Sequence, residues 1–228
     1  MSADPAGRLS RLRTQIALAA QQSGRNEDCV TLVAVCKGQS LAAVQALARL
    51  GVEHFGESYL QEALPRMQQL AGAALTWHFI GRLQANKTRE VAGHFSWVHA
   101  LDRERIAVRL NAQRPALATP LNVCLQVKLA DDPTKGGVEA AAAGKLATLV
   151  RTLPRLRLRG LMCMLPEGLA APAQRAHFEG LQRLQQQLNA DGAQLDTLSM
   201  GMSGDFQLAI AAGATMVRIG TALFGPRS

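Results

Sequence analysis

Thr31-Leu-Val-Ala-Val-Cys-Lys37 is an apolar, β-branched run that ends in an amine. Such a run reads as a buried strand of a barrel or parallel sheet, with Lys37 at its C-terminal mouth. In parallel α/β folds that mouth is where chemistry sits. A lysine at the end of a buried strand is costly unless it is solvated, paired or covalently used. From this segment alone two readings stand: a rim lysine that snorkels to water, and an amine that takes part in chemistry.

Working outward, similar runs recur along the chain. Strands are predicted at Val30–Cys36, Val52–Gly56, Leu75–Ile80, Trp97–Leu101, Asn122–Leu129, Leu158–Met164, Leu195–Met200 and Met216–Ile219. Helical patterns separate them, at Leu41–Leu50, Tyr59–Leu70, Arg103–Asn111, Val138–Leu153, Ala173–Leu188 and Phe206–Ala212. Gly51, Gly192 and Gly213 stand where a glycine closes a helix. Eight strands alternating with helices in 228 residues predict an α/β chain forming a single (β/α)8 TIM-type barrel. A doubly wound open sheet is the alternative. There is no Pro/Gly/Ser-rich linker, repeat or low-complexity tract, and three residues follow Gly225. One domain over residues 1–228 is expected.

The far end of the chain complements Lys37. Ser199-Met-Gly-Met-Ser-Gly-Asp205 and Val217-Arg-Ile-Gly-Thr221 are each a strand end followed by small residues. Free backbone N–H groups there would suit a phosphate. Ser203 precedes a helical pattern and is read as its N-cap, and Gly220-Thr221 follows the last strand. Phosphate sites after strands seven and eight recur in this architecture. Ordinary capping and an ordinary turn are the bland alternatives. Arg218 is the last polar residue of the final strand. It is read as a donor toward a pyridine nitrogen or as a surface salt-bridge partner. An amine facing a phosphate site suggests a phosphorylated aldehyde held as a Schiff base.

Composition narrows the classes. Hydrophobic residues make up 48% and charged residues 18% of the chain, a globular balance. No apolar run reaches the roughly 18 residues of a membrane span. Arg8, Arg11 and Arg13 interleave with Leu9, Leu12, Ile16 and Leu18 at helical spacing, which reads as an opening surface helix; an Arg-rich transit segment is the alternative. The net charge of +8 raises the question of nucleic acid. Arg155, Arg157 and Arg159 alternate with leucines, as one solvated strand face would, and aromatics are only 4%, with no stacking platform. No nucleic-acid or membrane partner is expected. Four cysteines lack CxxC spacing, and Cys36, Cys124 and Cys163 fall inside strands, so small buried hydrophobes in a reducing cytoplasm are expected. His54 and His78 have too few acidic neighbours for a metal site and read as structural. Asn86 and Lys87 line the mouth or merely begin a helix.

Together, Val33-Ala-Val-Cys-Lys37, His54-Phe-Gly-Glu-Ser58, His78-Phe-Ile-Gly-Arg-Leu-Gln-Ala-Asn-Lys87, Gly160-Leu-Met162, Leu198-Ser-Met-Gly-Met-Ser203 and Met216-Val-Arg-Ile-Gly-Thr-Ala-Leu-Phe-Gly225 resemble the pyridoxal phosphate homeostasis protein family. The resemblance covers nearly the whole chain, in order. It implies a barrel similar to the N-terminal domain of alanine racemase, with pyridoxal 5'-phosphate as cofactor and a role in vitamin B6 homeostasis. Carried over by position, Lys37 would form the internal aldimine, and Ser203, Gly220 and Thr221 would hold the phosphate. Arg218 would face the pyridine nitrogen and Met200 would lie near the ring. Ser58 stands where the family has asparagine. Lys135, in Asp131-Asp-Pro-Thr-Lys-Gly136, would offer a second, weaker aldehyde site.

The residues also bear on turnover. An arginine cannot give up its proton, so it leaves the ring a weaker electron sink than a carboxylate would. A racemase needs a second acid–base group, which in alanine racemase comes from a partner's second domain. The only tyrosine in this chain is Tyr59, just after strand two. No catalytic residue and no metal ligand is therefore assigned. The expectation is a cytoplasmic, monomeric cofactor-binding protein, with apo pyridoxal-phosphate enzymes as recipients; an amino-acid racemase or related enzyme is the alternative.

Overall fold

The computed structural model describes residues 4–130 and 136–225. Lys135 lies outside them. The strands are β1 (Thr31–Val35), β2 (His54–Glu57), β3 (Thr76–Phe79), β4 (Trp97–Leu101), β5 (Leu121–Lys128), β6 (Val138–Glu139), β7 (Leu156–Met162), β8 (Thr197–Ser199) and β9 (Met216–Ile219). The helices are α1 (Pro5–Gln22), α2 (Leu41–Arg49), α3 (Leu60–Gln69), α4 (Thr88–His94), α5 (Glu104–Gln113), α6 (Ala140–Arg151), α7 (Ala171–Ala190), α8 (Phe206–Ala211) and α9 (Thr221–Phe224).

All the described pairings are parallel, and eight strands form a ring. β1 pairs with both β2 and β9, and the ring closes where β4 pairs with β5. That closure excludes the open sheet. All eight barrel strands fall where the sequence places them. β6 stands outside the ring: Val138 and Glu139 only extend the pairing beyond Val127 and Lys128. The helix predicted from Val138 therefore begins at Ala140. β8 is shorter than its apolar run because the Asn189 side chain, not a ladder, satisfies the Leu195 backbone, at 2.6 and 2.9 Å.

Period-two alternation sorts the strand side chains into two cores. Outward residues such as Ala34, Phe55, Trp77, Leu161 and Val217 pack against the helices in the main core. A smaller cluster of Val33, Trp97, Ala100, Cys124, Met162 and Met216 fills the ring itself. Beside it are buried polar side chains: His78, His99, Ser199 and Arg218. The opening helix is as expected, burying Leu9, Leu12, Ile16, Ala19 and Ala20 on one face, with Asp4 capping its start. Several arginines tie the structure together. Arg8, Arg13, Arg25 and Arg155 each donate to a backbone carbonyl of another element or loop. Arg159 departs from the solvated-face reading: half-buried, it lies 5.0 Å over Trp97 and pairs with Asp196. The described cysteines are all free thiols, and burial pushes Cys124 and Cys163 up to about 12. No described helix is long and apolar enough to cross a membrane.

Candidate functional site

The alternation that puts Val33 inside the ring carries on to Val35 and then to Lys37. The amine therefore emerges on the inward face just past the end of β1. Its turn is held from α3. Gly38 N–H donates to Glu62 Oε2 at 3.1 Å, and Arg66 donates to the Gln39 carbonyl at 2.7 Å. Arg66 is itself buried and ion-paired with Glu57, the fully buried last residue of β2. Burial pushes the Glu57 carboxyl up to about 7 against the opposing pull of Arg66. Among the described residues Lys37 makes no ion pair. Its Nζ lies 5.3 Å from the centre of the exposed Tyr59 ring.

The loop after β8 turns at Gly201, whose φ is +97°. A Cβ there would sit 2.7 Å from Ala209 and 2.9 Å from Phe206, so only glycine fits. Asp205 closes the turn by accepting from Met202 N–H at 2.5 Å. Burial raises the Asp205 carboxyl above its ordinary range. Among the described residues the Ser203 and Gly204 backbone N–H groups donate to no protein acceptor. Ser203 is not the N-cap of α8, because the turn places Asp205 there. Instead its Oγ accepts from Ala222 N–H at 3.3 Å, in the first turn of α9, and so joins the loops after β8 and β9.

Arg218 is no surface residue. It lies inside the ring, donating to Ser199 Oγ and to the Cys163 carbonyl, both at 2.7 Å. A cavity of about 510 Å³ opens at this C-terminal mouth, lined by Lys37, Ser58, Ser203, Asp205, Arg218, Gly220 and Thr221 among others. A slightly larger cavity, about 540 Å³, lies at the opposite face between α1 and the starts of β1 and β2. Size does not choose between them. The C-terminal cavity is the one that brings together an amine, a donor-only guanidinium and loops with free N–H groups.

The alanine racemase N-terminal domain family model matches residues 8–228. A pyridoxal phosphate homeostasis protein of Pseudomonas aeruginosa is 49% identical over 96% of this chain and 94% of its own length. One from Escherichia coli K12 is 45% identical over 98% and 97%. The chain belongs to the pyridoxal phosphate homeostasis protein family. PipY of Synechococcus elongatus PCC7942, solved with PLP bound, superposes with a TM-score of 0.87 at 36% identity, over 97% of this chain and 100% of its own. Alanine racemase of Corynebacterium glutamicum shares the fold at 15% identity, with a TM-score of 0.70, over 96% of this chain and 62% of its own.

Of the residues that the family resemblance singles out, Lys37, Ser203, Arg218, Gly220 and Thr221 meet at one cavity, with Ser58 beside them. Met200 does not join them. Ser199 turns inward, so the next residue turns outward, and Met200 is buried in the core between strands and helices. The methionines that line the cavity are Met164 and Met202. Asn86 and Lys87 do not line it; they form a 3₁₀ turn leading into α4. Sequence reasoning missed Asp205, the Glu57–Arg66 pair and His99. Parity was the available signal for His99, two residues after the inward Trp97.

Proposed function

We propose that this chain holds pyridoxal 5'-phosphate as a Schiff base on Lys37 and serves pyridoxal phosphate homeostasis as a holder of the cofactor, without substantial turnover. The observation that carries this reading is the convergence of Lys37, Arg218 and the Ser203 and Gly220–Thr221 loops on one cavity of about 510 Å³. Pyridoxal phosphate offers one matching group to each: an aldehyde for the amine, an anion for the loops and a ring nitrogen for the guanidinium. When bound, it supplies an electron sink. Arg218 stays protonated and donates, so it holds the ring without making it a strong sink. Ser203, Gly220 and Thr221 would hold the phosphate. The linkage forms between Nζ and the aldehyde carbon with loss of one water. The family names, and PLP in PipY, support the reading. A cytoplasmic monomer that passes cofactor to apo-enzymes completes it.

The test is the absorbance spectrum of the purified protein before and after borohydride, with peptide mass mapping. The expected result is a yellow protein whose colour is reduced away, leaving the pyridoxyl mass on Lys37. Lys37→Ala is expected to abolish that adduct. A protein that cannot be loaded with pyridoxal phosphate would overturn the assignment.

A racemase reading draws on one observation, the Tyr59 ring beside Lys37. Isotope exchange at the amino-acid α-carbon decides it. Sustained exchange that is lost in Tyr59→Phe would favour an enzyme, and trace or no exchange favours the holder.

A further inference from the structure

We propose that a one-directional chain of hydrogen bonds crosses the barrel interior, from Arg218 through Ser199, His99 and His78 to His54, and that Ser199 and His99 are positioning residues for Arg218. The links are continuous. Arg218 donates to Ser199 Oγ at 2.7 Å. Ser199 Oγ lies 2.7 Å from His99 Nδ1. His99 Nε2 lies 2.8 Å from His78 Nδ1, and His78 Nε2 lies 2.9 Å from His54 Nδ1. The members come from β9, β8, β4, β3 and β2, and His78, His99 and Ser199 are fully buried. Arg218 lines the C-terminal cavity and His54 lines the N-terminal one, so the chain connects the two.

The direction follows from the chemistry of its inner end. A guanidinium only donates. Ser199 Oγ therefore accepts from Arg218, and the Ser199 hydroxyl hydrogen needs an acceptor of its own. Among the described residues the remaining partner is His99 Nδ1. That makes His99 Nε2–H the donor to His78, and His78 Nε2–H the donor to His54. The reverse direction would leave the Ser199 hydrogen buried and unbonded, at a cost of about 1–3 kcal/mol. All three imidazoles are then neutral, with the proton on Nε2. Their surroundings agree: burial lowers the basicity of each, and Arg218 adds to the effect at His99. The ring nitrogens point at one another and not at a common centre. Among the described residues no group of three or more His, Cys, Asp or Glu side chains is arranged to hold a metal. Because Arg218 cannot accept a proton, the chain cannot deliver one to the cavity. It fixes and polarises the guanidinium instead. The consequence for a bound ring rests on the pyridoxal phosphate reading above; the direction of the chain does not.

The first arm uses the cofactor-free wild-type protein labelled with ¹⁵N-histidine at neutral pH. Long-range ¹H–¹⁵N spectra are expected to show His54, His78 and His99 each as a single neutral Nε2–H tautomer. An Nδ1–H form, a mixture or an imidazolium at His78 or His99 would overturn the proposal. The second arm compares Ser199→Ala with Ser199→Thr. Alanine is expected to release the tautomers of His99 and His78, and threonine, which keeps the hydroxyl, to retain them. Unchanged tautomers in Ser199→Ala would sink the directional argument. The third arm adds pyridoxal phosphate. Ser199→Ala is expected to weaken its binding about tenfold and to alter its visible spectrum, with both restored in Ser199→Thr. Unchanged binding and spectrum would overturn the positioning role. If the wild-type protein binds no pyridoxal phosphate, the proposed function falls, while the first two arms still decide the chain. If the alanine variant does not fold, the wild-type and threonine spectra decide it.

Discussion

Acidification should destabilise this barrel well before its carboxylates are neutralised, and the buried histidines set the size of the effect. In the native state burial lowers His78 far below the usual 6.5 and His99 to about 3. In the unfolded chain both titrate near 6.5. A lowered native pKa means that the stability contribution is full above 6.5 and is lost as pH falls toward the native value. Glu57 acts in the opposite sense. Its native carboxyl titrates near 7 and its unfolded one near 4.5, so its contribution is full below 4.5 and is lost as pH rises through 7. Between 4.5 and 6.5 unfolding therefore takes up two protons at the buried histidines and releases one at Glu57. The net single proton gives a slope of about 1.4 kcal/mol per pH unit. From pH 6.5 to about 5 the loss is about 2 kcal/mol, a large part of a typical domain's stability. His54, only half-buried, adds a fraction more. Urea unfolding across this range measures the slope. Glu57→Gln, whose amide oxygen can still accept from Arg66, is expected to steepen it to about 2.7 kcal/mol per pH unit by removing the opposing titration. A wild-type stability that stays flat or rises on acidification, or a Glu57→Gln slope no steeper than wild type, would refute the reasoning.

Arg66→Met strands the buried Glu57 carboxyl and frees the Gln39 carbonyl beside Lys37. It is expected to cost about 3–5 kcal/mol in urea unfolding, with much of that regained in the Arg66→Met/Glu57→Gln double variant. Asp205→Asn keeps an oxygen to accept from Met202 N–H while removing a negative charge from the loop proposed to hold the anion. Inorganic phosphate is expected to bind it roughly fivefold more tightly by calorimetry, and weaker binding would place the anion elsewhere.

The strand count was legible because barrel strands buried on both faces leave apolar runs, and helical patterns closed by glycines such as Gly51, Gly192 and Gly213 separate some of them. That Lys37 and the loops at Ser203 and Gly220 share one cavity was legible for the same reason: strand C-terminal ends of a parallel barrel converge on one mouth. Met200 was misplaced because the sequence alone hides which face it takes, and Arg159 because the arginine face of its Leu/Arg alternation turns toward the interior Trp97 at that position. Only a fixed point such as inward Ser199 sets the parity of its neighbours. The interior histidines were hidden in another way. His54, His78 and His99 are spread over three strands and become neighbours only when the ring closes. Ser203 went astray as a cap because the competing bond to Ala222 comes from the next loop, nineteen residues later.

The distribution of rigidity through the site bears on holding against turnover. The groups assigned to grip are built in. Arg218 is buried with two bonds fixing its guanidinium, and the Lys37 turn is tied to α3 through Arg66 and Glu62. The group that a racemase would need to move a second proton is Tyr59, 47% exposed at the rim. Catalysis by positioned acids and bases depends on holding them near the reacting atom with water excluded. A solvent-exposed phenol beside the amine, with no side-chain hydrogen bond among the described residues, has neither property, whereas retention of a ligand needs only the buried half of the site. Deleting the phenol should therefore leave cofactor retention intact, and deleting Arg218's support at Ser199 should not. That contrast, read by titration of Tyr59→Phe and Ser199→Ala with pyridoxal phosphate, places the grip in the buried half of the site, and isotope exchange at the α-carbon then decides turnover.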